Sequence, residues 1–124
     1  MGEKIKVLLV DDELEFLESM KFWFKSKGYD VSTAGSDEET LKKIEVDSPD
    51  IIFMDIVMPG MGGLKLKNKI KDTNKNLPLI LMSAYIENAE CDKKHRLHEV
   101  TDVFCKEDDF SKAEGLLKSA LNIT

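Results

Sequence analysis

The sequence predicts an α/β domain: one parallel five-stranded sheet with helices on both faces. Three observations lead there. Apolar runs and helix-period segments alternate five times along the chain, a pattern that specifies parallel strands joined by helical crossovers. The connections are too short for antiparallel wandering, and the crossovers are expected to be right-handed. The run Ile51-Ile52-Phe53-Met54, between Pro49 and Pro59-Gly60, is apolar at every position, as a strand buried on both faces must be.

Each element has its own signals. Ile5 to Val10 is an apolar run that ends directly in Asp11-Asp12-Glu13. From Leu14 to Lys27, the residues Leu14, Phe16, Leu17, Met20, Trp23 and Phe24 recur at helical spacing and make a wide apolar face. Gly28 then stands where a helix C-terminus favours glycine. Tyr29 to Ala34 alternates weakly and reads as a more exposed strand. Ser36 with Glu39 forms a capping box that opens a helix through Leu41 and Ile44, and Asp47-Ser48-Pro49-Asp50 stops it.

After the loop Pro59-Gly60-Met61-Gly62-Gly63, Leu66 and Ile70 give a narrow apolar stripe flanked by Lys65/Lys69 and Lys67/Lys71. Those lysines read as stems covering a helix rim with solvated ammoniums, since no aromatics interleave them and the chain is acidic. Pro78 opens a strand through Leu79 to Met82, followed by Ser83. Glu87 to Glu99 is a polar helix whose His95 and His98 read as solvated, lacking a third ligand. Asp102 to Cys105 is a short strand ending at Lys106. Ser111 with Glu114 is a second capping box, opening a last helix through Leu116, Leu117, Ala120 and Leu121.

Bulk properties narrow the function classes. With 124 residues, 42% of them apolar and 34% charged, the chain makes one domain, 1–124, with a real core and no second domain. No apolar run approaches a membrane span and no signal peptide precedes the first strand. A net charge of −6 argues against direct binding to nucleic acid or to an anionic membrane. Cys91 and Cys105 form no C-x-x-C pair and read as reduced thiols in a cytoplasmic protein.

The chemistry sits where buried strands end. Asp11 and Asp12 follow the first strand, Asp55 ends the third, Ser83 the fourth and Lys106 the fifth. A parallel sheet brings all five to its C-terminal edge, where open α/β folds place their sites. Three crowded carboxylates repel and need a cation. Mg²⁺ fits, because it takes one or two carboxylates and completes its shell with water and phosphate oxygens. Lys106 offers a positive charge and Ser83 a hydroxyl for a phosphoryl oxygen. The set points to a Mg²⁺ site that receives a phosphoryl group, with Asp55 as carboxylate nucleophile. Taken singly, Asp-Asp could be a helix cap and Lys106 a loop lysine; their conjunction carries the reading.

Over nearly its whole length the sequence resembles the receiver domains of two-component response regulators. The resemblance rests on Val10-Asp11-Asp12-Glu13, on Met54-Asp55-Ile56-Val57-Met58-Pro59-Gly60-Met61, on Met82-Ser83-Ala84 and on Lys106. It implies a flavodoxin-like three-layer (βα)5 sandwich with strand order 2-1-3-4-5. It also implies that Asp55 accepts a phosphoryl group from a sensor histidine kinase or a histidine phosphotransfer protein. Asp11, Asp12, Asp55 and the Val57 backbone carbonyl would bind Mg²⁺, with Mn²⁺ as a substitute, and Ser83 and Lys106 would engage the phosphoryl oxygens. The chain would then be a phosphoacceptor that assists its own phosphorylation and dephosphorylation, not an enzyme. Its output would be a shifted face of the last two helices and fifth strand, read by a downstream protein or output domain, with phosphorylation-linked homodimers compatible with the family.

Four positions depart from that family. Glu107 follows Lys106 where a proline, often cis, is usual, so a trans bond is expected. Val103 stands at the aromatic switch position, while Phe104 points to the opposite face by strand alternation. Gly62 replaces a common aspartate, and Glu99-Val100-Thr101 replaces Gly-Ala before the last strand. The first two support a rival reading, a phosphorylation-independent docking module on the same fold. Val57 and Tyr85, bulky and without an acid or amide to orient water, predict slow loss of the phosphoryl group.

Overall fold

Five apolar runs pair into one sheet because their backbone groups, once removed from water, need partners. The computed structural model describes residues 4–56, 63–83 and 102–123. In chain order these form β1 (Lys6–Val10), α1 (Leu14–Ser26), β2 (Asp30–Ala34), α2 (Asp37–Asp47), β3 (Ile51–Asp55), α3 (Gly63–Thr73), β4 (Leu79–Ser83), β5 (Asp102–Cys105) and α4 (Phe110–Ala120). All pairings are parallel and the order is β2-β1-β3-β4-β5. That is the flavodoxin-like order expected from the sequence. The expected helix over Glu87–Glu99, with His95 and His98, lies outside the described residues, as do Val57, Gly62, Tyr85, Cys91 and Glu99-Val100-Thr101.

The pleat divides the apolar residues between two cores. Val7, Leu9, Ile51, Phe53, Ile80, Met82 and Phe104 pack with α1 and α4, through residues such as Phe24 and Leu117. Their neighbours Leu8, Val10, Ile52, Met54, Leu79 and Leu81 pack with α2 and α3 through Ile44, Leu66 and Ile70. Phe24 meets Phe53 at 5.8 Å between ring centroids, and Phe53 meets Phe104 at 6.5 Å edge-on. Truncating one such ring to alanine typically costs about 3–5 kcal/mol. Phe104 and Val103 belong to opposite cores, as alternation required.

Helix ends follow the sequence with two corrections. Gly28 adopts φ +98, which L side chains rarely adopt, and so terminates α1 cheaply. Ser36 Oγ accepts from Glu39 N at 3.2 Å, while Glu39 Oε1 accepts from Gly35 N at 2.7 Å, one residue before the cap. The Ser111–Glu114 capping box does not form. α4 begins two residues earlier than that box requires, at Phe110, with Asp109 as its cap. Phe110 packs against Phe16 and Trp23, and Glu114 instead accepts from the Tyr29 hydroxyl at 2.7 Å. Burial, then the Glu114 hydrogen bond, push the Tyr29 phenol well above its ordinary range.

Leu14, counted with the apolar face of α1, is 72% exposed; it lies at the helix start, beyond the reach of the core. The lysines of α3 flank the buried pair Leu66 and Ile70 as expected, and Lys71 Nζ donates to Leu77 O at 2.6 Å. Cys105 is disulfide-bonded, which corrects the expectation of a reduced thiol there; spacing along the chain does not report distance in space. Among the described residues no helix is long and apolar enough to cross a membrane.

Candidate functional site

The same pleat that sorts the core also aims the acids. Asp11 continues the phase of Val7 and Leu9, and Asp55 that of Ile51 and Phe53, so both leave the sheet on the α1 and α4 side. Lys106 continues the phase of Phe104 in the same way. The strand ends are held level by backbone bonds: Asp11 N donates to Ala34 O at 3.1 Å, Ile56 N to Met82 O at 3.0 Å, and Lys106 N to Ser83 O at 2.7 Å.

At that edge the Lys106 ammonium is surrounded by carboxylates. Its Nζ donates to Asp55 Oδ2 and to Glu13 Oε1, both at 2.8 Å. It also lies 2.5 Å from Asp11 Oδ2, the shortest of its three carboxylate contacts. The fourth neighbour is the Phe16 ring, whose centroid is 4.7 Å from Nζ, a cation–π contact. The Lys106 side chain is 6% exposed, so burial works against its charge. Hydrogen bonds with Asp11, Asp55 and Glu13 outweigh that and raise its pKa above the ordinary value.

Asp11 is fully buried. Its Oδ1 accepts from Glu13 N at 2.9 Å, an Asx-type turn that fixes the side chain. Burial raises its pKa, and the Asp55 charge adds to this. The Lys106 and Glu13 hydrogen bonds oppose both, and the balance stands at about 6. A carboxylate this reluctant to ionise is short of positive charge. Asp11, Asp12 and Asp55 each offer one oxygen, and these atoms lie within 4.8 Å of one another. With Asp11 fully buried next to two further acids and an all-carboxylate donor set, the residues present fit a hard divalent cation.

Of the six groups expected at the site, Asp11, Asp55 and Lys106 come into direct contact, and Asp12 joins the acids from the solvent side. Ser83 closes β4, is buried, and is tied to Lys106 through the backbone. The Val57 carbonyl falls outside the described residues. Two participants, Glu13 and Phe16, were not expected at the site from the sequence, which placed Glu13 only in the acidic run and Phe16 only on the apolar face of the first helix. Glu13 lies in the Asp-Asp-Glu run, but nothing in the sequence tells that its side chain turns toward a lysine 93 positions away.

Comparison with known proteins gives the same picture. A family profile described as "Response regulator receiver domain" matches residues 7–113. The chain is 33% identical over 88 residues to the alkaline phosphatase synthesis transcriptional regulatory protein PhoP of Bacillus subtilis, covering 71% of this chain and 36% of that protein. It thus spans about a third of the length of the curated relatives it matches. A receiver protein from Pseudomonas putida superimposes with TM-score 0.82 at 25% identity, over 96% of this chain and 99% of that one. A CheY-like receiver domain from Methanospirillum hungatei gives TM-score 0.85 at 23% identity, over 97% and 95%. With a family profile matched over most of its length and a sheet of order β2-β1-β3-β4-β5, the chain belongs to the response regulator receiver domain family.

Proposed function

We propose that Asp55 is a phosphoacceptor that takes a phosphoryl group from the phosphohistidine of a sensor histidine kinase or histidine phosphotransfer protein. In the step, the P–N bond to the partner imidazole breaks and a bond forms from an Asp55 carboxylate oxygen to phosphorus. The freed imidazole nitrogen recovers a proton. Asp11, Asp12 and Asp55, with the Val57 backbone carbonyl, would hold Mg²⁺ or Mn²⁺, which when bound neutralises charge on the oxygens of the transferring group. Lys106 supplies a fixed positive charge beside Asp55, in a buried setting where it acts strongly. Ser83 offers a hydroxyl at the next strand end for a phosphoryl oxygen.

The observation that carries this reading is the 2.8 Å contact between a buried lysine and Asp55 Oδ2 inside a cluster of acids. No general base is needed, since the nucleophile is already a carboxylate; the chain assists its own phosphorylation and dephosphorylation without turning over a separate substrate. The phosphoryl group adds about two negative charges and three acceptor oxygens at the sheet edge. That favours one of two arrangements of the neighbouring segments and so changes the face read by a downstream protein or output domain. Incubation with phosphoramidate and Mg²⁺ should label the wild type and not Asp55→Asn. Equal labelling of both would exclude Asp55.

One observation favours a phosphorylation-independent docking module instead. Val103 occupies the family's aromatic switch position and packs into the core on the α2 and α3 side, and the buried Phe104 faces the other way. Beryllofluoride separates the two readings. Shifted amide resonances across β5 and α4 support phosphorylation-linked output, and an unchanged spectrum supports constitutive docking.

A further inference from the structure

The Lys106 ammonium has three N–H donors and three carboxylates around it, with the Phe16 ring close by. Two of those carboxylates cannot leave. Asp11 is fully buried and held by the Glu13 N–H, and Asp55 is the acceptor itself. Glu13 differs: its side chain is 61% exposed and can swing into water at little cost. It also stands at the N-cap of α1, yet makes no side-chain cap bond, so its carboxylate serves Lys106 and not the helix end. A phosphoryl oxygen arriving at Asp55 needs a donor from Lys106, and one carboxylate must give way.

We propose that the Glu13 carboxylate is a placeholder for the incoming phosphoryl group, a positioning residue that holds Lys106 in the resting state and competes with the donor's oxygens for it. The inference rests on the reading of Asp55 as acceptor. It implies that Glu13 sets the donor concentration the site requires, and that phosphorylation releases a side chain at the N-cap of α1.

The test compares wild type, Glu13→Gln and Glu13→Asp with phosphoramidate at saturating Mg²⁺, the saturation fixed by a separate titration for each protein. Glutamine removes the competing charge. Aspartate keeps the charge but is one methylene shorter, so it loses the contact. Both variants should lower the half-saturating phosphoramidate concentration by roughly two- to fivefold, the scale of an exposed ion pair. The effect should fall mainly on that concentration and less on the maximal rate. A fall with glutamine and none with aspartate would assign the effect to net charge and overturn the placeholder role. A rise with either, or no change in both, would overturn it as well. If the wild type takes no label at all, the acceptor reading fails and this inference with it, whereas a labelled wild type with indifferent variants sinks this inference alone.

Discussion

Asp11→Asn in the absence of divalent ions isolates the energetic cost of building this site. Asp11 is buried, and its pKa is raised from 3.8 to about 6, with burial as the main cause. Between those two values the folded protein binds more protons than the unfolded chain, so stability falls as pH rises through the window. At 1.36 kcal/mol per unit, the ionised Asp11 costs about 3 kcal/mol at neutral pH. Asparagine keeps the Oδ1 acceptor for Glu13 N and carries no charge. Whatever asparagine itself costs to bury, the stability difference between variant and wild type should therefore grow by about 2–3 kcal/mol from roughly pH 4 to pH 7. In urea titrations with chelator, at a slope of about 2 kcal/mol/M, that is a relative midpoint shift of about 1 M. Magnesium at neutral pH should stabilise the wild type and leave the variant less affected. A difference that stays flat with pH, or that shrinks toward neutrality, would refute the argument that Asp11 is held ionised against its burial.

Three further outcomes follow from the same contacts. Lys106→Met leaves Asp11 and Asp55 buried without their counter-charge. It should lose about 3–5 kcal/mol at neutral pH by chemical denaturation, with much of the loss recovered in acid as the carboxylates protonate. Tyr29→Phe removes a hydrogen bond to the Glu114 carboxylate that ties the start of β2 to α4; a loss of about 1–3 kcal/mol is expected, abolished when Glu114 is also replaced by methionine. Once formed, the phosphorylated protein should hold its label well beyond seconds, given Val57 and Tyr85 in the sequence; a half-life of seconds by acid-quench sampling would contradict that.

Most of the fold was legible because its signals are local. Unbroken apolar runs specify strands covered on both faces, and Gly28 and Ser36 end and start helices by backbone chemistry that any sequence shows. The convergence of Asp11, Asp55 and Lys106 was legible too, because a parallel sheet puts all strand ends on one edge and the pleat fixes which way each side chain leaves it. What escaped notice depends on tertiary contacts. Ser111 and Glu114 have the spacing of a capping box, yet Phe110 is drawn against Phe16 and the Tyr29 hydroxyl claims Glu114. Leu14 looks like a member of the apolar face of α1 but is largely exposed, since it stands at the very start of the helix. Glu13 reads as a third acid in a run; that it meets Lys106 follows from the turn that Asp11 makes with its backbone N–H. The disulfide at Cys105 likewise depends on proximity that spacing does not encode.

The central claim is that strand ends gathered by the winding of the sheet make Asp55 the atom that bonds to phosphorus. Treating the protein with phosphoramidate and Mg²⁺, reducing the acyl phosphate with borohydride and sequencing the peptides by mass spectrometry tests it directly. The account predicts a single modified residue, Asp55, which appears as homoserine and is lost when magnesium is chelated. Modification at Asp11, Asp12 or elsewhere, or none under saturating donor, would contradict it.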